Sequence, residues 1–245
     1  MNIPGLDLPP LPDAARLTLP LGDVTLGGYC WAQPSPAPAI LLLHGWGQDA
    51  SHMAHPARLF REAGWHALSL SQRGWRGSGG CDDYGRSGAG DVRRALDWLG
   101  RQPGVTSALL LGFSMGGLVA LLAASAPCAA RGVVAVSAPT DLRRTARTTS
   151  LGILRRYYDA VLTERQWVEG SPLHHAARLS VPALLVVGTE DRFCPPAEGR
   201  TYAAATGSRL LELPGMAHQP TDEEWRLIVG ETLGMFGAEG GMAEV

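Results

Sequence analysis

The sequence predicts an α/β fold: a mostly parallel, doubly wound sheet with an N-terminal antiparallel hairpin and helices on both faces. Two observations carry this expectation. Four short runs, "AILLLHG" (39–45), "ALLLGFS" (108–114), "GVVAVSA" (132–138) and "PALLVVG" (182–188), are almost wholly apolar, as strands are when both faces of a parallel sheet are covered. Helix-compatible segments lie between and around them, at 52–63, 88–101, 115–125, 196–205 and 222–236, and strands alternating with helices imply βαβ units.

Taken in chain order, residues 1–15 form a Pro-rich extension ahead of one domain at 16–237, and 238–245 read as a loose tail. Residues 16–31 alternate apolar and polar around Gly22-Asp23, the pattern of an antiparallel hairpin. "WHALSLS" (65–71) and "SRLLELPG" (208–215) are weaker strand candidates for the same sheet. The interval 139–178 contains an amphipathic stretch at 151–167, which reads equally as a small helical lid or as an ordinary crossover. Sheets of this kind bind ligands beyond the carboxyl ends of their strands, so the chemistry is sought there.

Composition excludes several functions. The net charge is −2 and all 21 basic residues are arginine. Without lysine there is neither a Schiff-base residue nor a P-loop. The arginines are scattered, so no nucleic-acid footprint is expected. No metal and no cofactor are expected: His52 and His55 lack the glutamate of a zinc-protease helix, His174 and His175 are adjacent and diverge, and no dinucleotide fingerprint opens a helix. Cys30, Cys81, Cys128 and Cys194 form no C-x-x-C pair and read as free thiols. No apolar run approaches the roughly 20 residues of a membrane span, and the N-terminus lacks a signal-peptide pattern. The expectation is a cytoplasmic protein, monomeric or homodimeric.

Ser114 stands between an apolar strand candidate and a helix candidate in Gly112-Phe113-Ser114-Met115-Gly116. This G-x-S-x-G turn needs small residues beside the nucleophile, and it holds the serine out at a helix N-terminus where N–H groups favour developing negative charge. A serine nucleophile needs a base, and the base an orienting acid. His218 follows the last strand candidate in "LELPGMAHQP", and Asp191 follows another in "GTEDRFCPP", with Glu190 as the alternative acid. The "HGWG" turn leaves its strand at His44, so the Trp46 N–H is the expected oxyanion donor opposite the Met115 N–H. His44 is expected to brace that turn, and Arg73 to tie loops together. Phe113, Phe193, Trp75, Tyr157 and Trp167 are candidates for an apolar acyl pocket.

"HGWG", "GFSMGG", "GTEDRFCPP" and "GMAHQP", in that order and over residues 16–236, resemble the α/β-hydrolase superfamily. The short middle insertion resembles compact members related to dienelactone hydrolases and small carboxylesterases. Dienelactone hydrolase carries cysteine at the nucleophile position, whereas this chain has Ser114, so the resemblance implies simple ester hydrolysis in place of lactone opening. In the loop "SLSQRGWRGSGG", Ser71 stands where the superfamily often has aspartate. The resemblance implies a serine hydrolase acting on a small acyl ester or thioester. Peptidase, lyase or cofactor-free peroxidase chemistry, or ligand binding without catalysis, are the other readings the fold allows.

Overall fold

Single-residue alternation inside the apolar runs feeds two separate cores, because successive side chains of a strand point to opposite faces. In β3 (Ala37–Leu43), Leu41 and Leu43 enter one core while Ile40 and Leu42 enter the other. β5 (Val105–Phe113) and β6 (Ala130–Val136) divide likewise, Leu110 and Val133 to one side, Leu111 and Val134 to the other. Burying each such side chain contributes about 1.5–3 kcal/mol, which is why these runs contain almost no polar residue.

The structure is a computed structural model and describes residues 7–237; the proposed tail 238–245 lies outside them. The strands are completed by β1 (Ala15–Pro20), β2 (Thr25–Trp31), β4 (His66–Leu70), β7 (Ala183–Gly188) and β8 (Arg209–Leu213). The sheet order is β1-β2-β4-β3-β5-β6-β7-β8, with β2 antiparallel to both neighbours and every later pairing parallel. The predicted hairpin and both weaker strands are therefore present. The helices α1 (Ala54–Glu62) and α8 (Asp222–Phe236) cover one face through Phe60 and Trp225. The opposite face is covered by α2 (Gly88–Gly100), α3 (Met115–Ala124) and α7 (Pro196–Thr206).

Residues 7–13 lie against the body: Tyr29 donates its hydroxyl to the Pro9 carbonyl, and Asp13 accepts from the Trp31 indole and the Arg58 guanidinium, each at 2.8 Å. Arg73 ties loops as expected, with both Asp91 oxygens at 2.8 Å and Asp23 at 2.9 Å. All four cysteines are free. Among the described residues no helix is long and apolar enough to cross a membrane.

One expected element is divided. The stretch 151–167 is not a single helix: α5 (Gly152–Val161) ends at an extended Leu162, and α6 (Gln166–Glu169) begins afresh. The Thr163 hydroxyl accepts the Gln166 N–H at 3.3 Å, and Gln166 Nε2 donates to the Asp83 carbonyl at 2.7 Å, so the start of α6 is held by the 83–84 loop and not by continuation of α5. With α4 (Leu142–Thr148) and a 3-10 segment at Pro172–Arg178, these helices occupy the β6-to-β7 crossover.

Candidate active site

Chain order in the sheet reverses between β3 and β5: the strands after β3 run first to one side and then, from β5 on, to the other. The carboxyl ends of β3, β5, β7 and β8 hold the sequence-predicted site residues.

Ser114 is the single residue between β5 and α3, with φ 51° and ψ −118°. A non-glycine residue in this region costs on the order of 1–3 kcal/mol and persists only where its surroundings enforce it. The enforcement is visible. The Ser114 N–H donates to the Val136 carbonyl of β6 at 2.8 Å. A Cβ on Gly112 would sit 2.1 Å from the Gly116 oxygen, and one on Gly116 2.4 Å from the Leu43 oxygen. The turn closes this tightly only with glycine at both positions.

Asp191 follows β7 and is 4 % exposed. Its Oδ1 accepts the Phe193 and Cys194 N–H groups at 2.8 and 2.9 Å, which leaves Oδ2 for His218 Nδ1, 2.8 Å away. A carboxylate only accepts, so Nδ1 carries the ring proton and the Nε2 lone pair faces the Ser114 hydroxyl at 2.9 Å. The acid and base loops are joined through their backbones: Thr189 N–H donates to Leu213 and Glu190 N–H to Met216. Glu190, the alternative acid, is exposed, and His218 Nδ1 is paired with Asp191 instead. Phe113 and Phe193 flank the His218 ring, with centroids at 5.3 and 5.1 Å.

The 44–47 turn passes directly over the elbow: a Cβ on Gly45 would lie 3.2 Å from Ser114 Cβ. His44 is fully buried, and burial pushes its pKa down to about 4. The neutral ring donates from Nδ1 to the Gly45 carbonyl at 2.8 Å and accepts the Gln72 N–H on Nε2 at 3.0 Å, the bracing role expected of it. Met115 opens α3, so its N–H belongs to a first turn that has no helical acceptors.

These parts border a cavity of about 200 Å³. Of the predicted pocket residues, Phe113 and Phe193 line it, as does Trp46. Trp75, Tyr157 and Trp167 do not, and that expectation is corrected. Trp75 packs edge-on against His44 beneath the turn, Tyr157 lies on Trp46 and donates to Asp82, and Trp167 packs against Tyr158 from behind. The wall on the crossover side is instead Leu151, Leu154 and Tyr158, which the sequence reasoning missed. Their spacing of three and four residues was the available signal, since it sets them on one helical stripe. A second cavity of about 230 Å³ is lined by Arg86, Leu122, Gln166 and Arg178 among others, and the Ser114–His218–Asp191 relay borders the cavity of about 200 Å³ and not this one. Among the described residues no three His, Cys, Asp or Glu side chains converge as a metal site would require.

Comparison with known proteins agrees with this architecture. No curated protein sequence matches the chain. Among solved structures, the Pyrococcus furiosus esterase Pf2001 is 22 % identical, with a TM-score of 0.77 over 96 % of this chain and 99 % of that one. Est1E from Butyrivibrio proteoclasticus is 18 % identical, with a TM-score of 0.73 over 91 % and 99 %. A puromycin-hydrolyzing peptidase from Mycobacterium tuberculosis is 21 % identical, with a TM-score of 0.76, this chain matching 38 % of its length. These likenesses establish the fold. The family described as the alpha/beta hydrolase fold matches residues 38–170, more than half of the sequence, and the chain belongs to that family.

Proposed function

We propose that this protein is a serine hydrolase that cleaves carboxylic esters through an acyl-enzyme on Ser114. The observation that carries the proposal is the unbroken relay from Asp191 through His218 to Ser114 at the edge of a largely apolar cavity.

His218 Nε2 takes the Ser114 proton as Oγ attacks the acyl carbonyl, and Asp191 stabilises the resulting imidazolium. The Trp46 and Met115 N–H groups receive the oxyanion, at roughly 2.7–4 kcal/mol for each donor in studied hydrolases. The tetrahedral intermediate collapses, the ester C–O bond breaks, and His218 returns its proton to the departing alkoxide. Water then attacks the acyl-enzyme along the same path and releases the carboxylic acid and free Ser114. Preorganisation supports this reading: the elbow strain is already present and the base is already the correct tautomer. The apolar wall of Leu154, Tyr158 and Phe193 suits a short-to-medium acyl group, as an ester or a thioester.

The test is labelling by a fluorophosphonate together with kcat/KM on an ester series of increasing acyl length, a thioester and a peptide. The expected result is labelling of the wild type alone, loss of activity by roughly 10⁴-fold or more in Ser114→Ala, and a maximum at short-to-medium acyl length. Full activity in Ser114→Ala would overturn the proposal. Preference for the peptide would make the protein a peptidase, and absence of both labelling and turnover would leave a binding protein on the same fold.

A further inference from the structure

The Trp46 N–H shares one planar peptide unit with the Gly45 carbonyl, so whatever holds that carbonyl aims the N–H. Two donors converge on it: His44 Nδ1–H at 2.8 Å and the Gln48 backbone N–H at 3.3 Å. On the preceding peptide, the Gly45 N–H donates to the Gln48 side-chain oxygen at 2.9 Å. Gln48 therefore grips Gly45 from both sides. Because Oε1 is taken by a donor, the orientation of the Gln48 amide is fixed, and its Nε2 donates to Gln219 Oε1 at 3.0 Å. Gln219 directly follows His218, and both glutamines line the cavity. Among the described residues this amide pair is the one hydrogen bond joining the 44–48 turn to the His218 loop.

Building on the serine-hydrolase reading, we propose that Gln48 is a positioning residue that holds the Trp46 N–H in register with His218, through Gly45 on one side and Gln219 on the other. The reaction requires this register. The donor to the oxyanion and the base for the nucleophile must address one acyl group at the same moment, yet they sit on loops that leave β3 and β8. Displacements of about 1 Å in such constellations cost up to a hundredfold in rate. Gln219 is exposed, so in the free protein water competes for the amide pair and the bond adds little stability. An acyl group in the cavity displaces that water, and the link strengthens as the reaction begins. The contribution therefore falls on the chemical step and not on folding.

The experiment compares wild type, Gln48→Leu, Gln219→Leu and the double variant by fluorophosphonate labelling rate, by kcat and KM on a short p-nitrophenyl ester, and by affinity for an alkyl boronic acid that mimics the tetrahedral state. We expect each single variant to lose about tenfold in labelling rate and kcat, with KM within about twofold; the melting temperature is little changed in Gln219→Leu and falls in Gln48→Leu, which leaves the buried Gly45 N–H without its acceptor. Boronate affinity falls with kcat, and the double variant is no slower than the slower single, because both substitutions cut one link. Losses that multiply in the double variant, a raised KM at unchanged kcat, or unchanged boronate affinity would each overturn the proposal. Should Gln48→Leu fail to fold, the exposed Gln219→Leu reads the same link. Ser114→Ala separates the two levels. If it retains activity, the serine-hydrolase reading fails; if it is inactive while the glutamine variants keep full kcat, only the positioning role fails.

Discussion

Replacing Asp191 by asparagine isolates the orienting role of the carboxylate from its structural one. Oδ1 holds two backbone N–H groups and Oδ2 holds His218 Nδ1–H. Asparagine has one side-chain oxygen, and the two backbone donors claim it, since the reversed amide would set an NH₂ group against both. Its Nδ2 then faces His218 and donates to Nδ1, which moves the ring proton to Nε2. That nitrogen, 2.9 Å from Ser114 Oγ, now points a hydrogen at the hydroxyl and has no lone pair to accept its proton. The wrong tautomer costs roughly 10⁴-fold in kcat in the serine protease where the same change has been made, equivalent to about 5.4 kcal/mol at about 1.36 kcal/mol per tenfold. Stability changes little, because the bonds to Phe193 and Cys194 remain. Asp191→Ala behaves differently: it leaves those two N–H groups unpaired, at about 1–3 kcal/mol each, and lowers the melting temperature as well as the rate. Labelling rate, ester kcat and a thermal melt on both variants measure the contrast. An asparagine variant within tenfold of wild type would refute the tautomer argument, and a comparable loss in Glu190→Gln would transfer the role to its neighbour.

Two further substitutions probe other parts of the molecule. Glu198 is 1 % exposed and accepts from the Thr140 N–H and the Thr145 hydroxyl, yet burial raises its carboxyl from 4.5 to about 7. Between those values the folded protein keeps a proton that the unfolded chain has released, so stability falls as pH rises through the window, by on the order of 3 kcal/mol. Glu198→Gln should flatten that fall, read as urea midpoints at pH 5 and pH 8; an undiminished slope would sink the assignment. Leu154→Ala enlarges the cavity on the crossover side and should shift the best acyl chain upward by about two methylenes, at a stability cost of about 2–5 kcal/mol. An unchanged chain-length profile would mean that the acyl group lies elsewhere.

The sheet and the relay were legible in the sequence for one reason: both are fixed by local rules. Apolar runs bounded by glycine specify strands buried on two faces, and residues that follow such strands are delivered to one edge whatever the loops do. Ser114 and Asp191 come one and three residues after the strand ends at Phe113 and Gly188, and His218 five residues after Leu213, so all three are delivered to the same edge of the sheet. Trp75 was misplaced because its ring packs edge-on against the buried His44 imidazole and not into the cavity, a contact that the position of β4 in the chain does not specify.

The crossover needed something the sequence states only indirectly, the rotational phase of α5 over the cavity. Tyr157 and Tyr158 are neighbours, and adjacent helical residues point about 100° apart, so only one of them can join the stripe of Leu151 and Leu154. A tyrosine pair read without its phase is ambiguous; read against that stripe it is not, because at about 100° per residue Tyr158, seven residues after Leu151, comes within about 20° of it around the helix, whereas Tyr157 is about 120° away. The stripe assigns Tyr158 to the wall, where its hydroxyl meets that of Tyr84. Tyr157 is thereby turned toward the Trp46 ring, 5.0 Å away, and toward Asp82. The helix thus borders the site through consecutive residues: Tyr158 lines the cavity beside Ser114, and Tyr157 packs against Trp46 in the turn that follows β3.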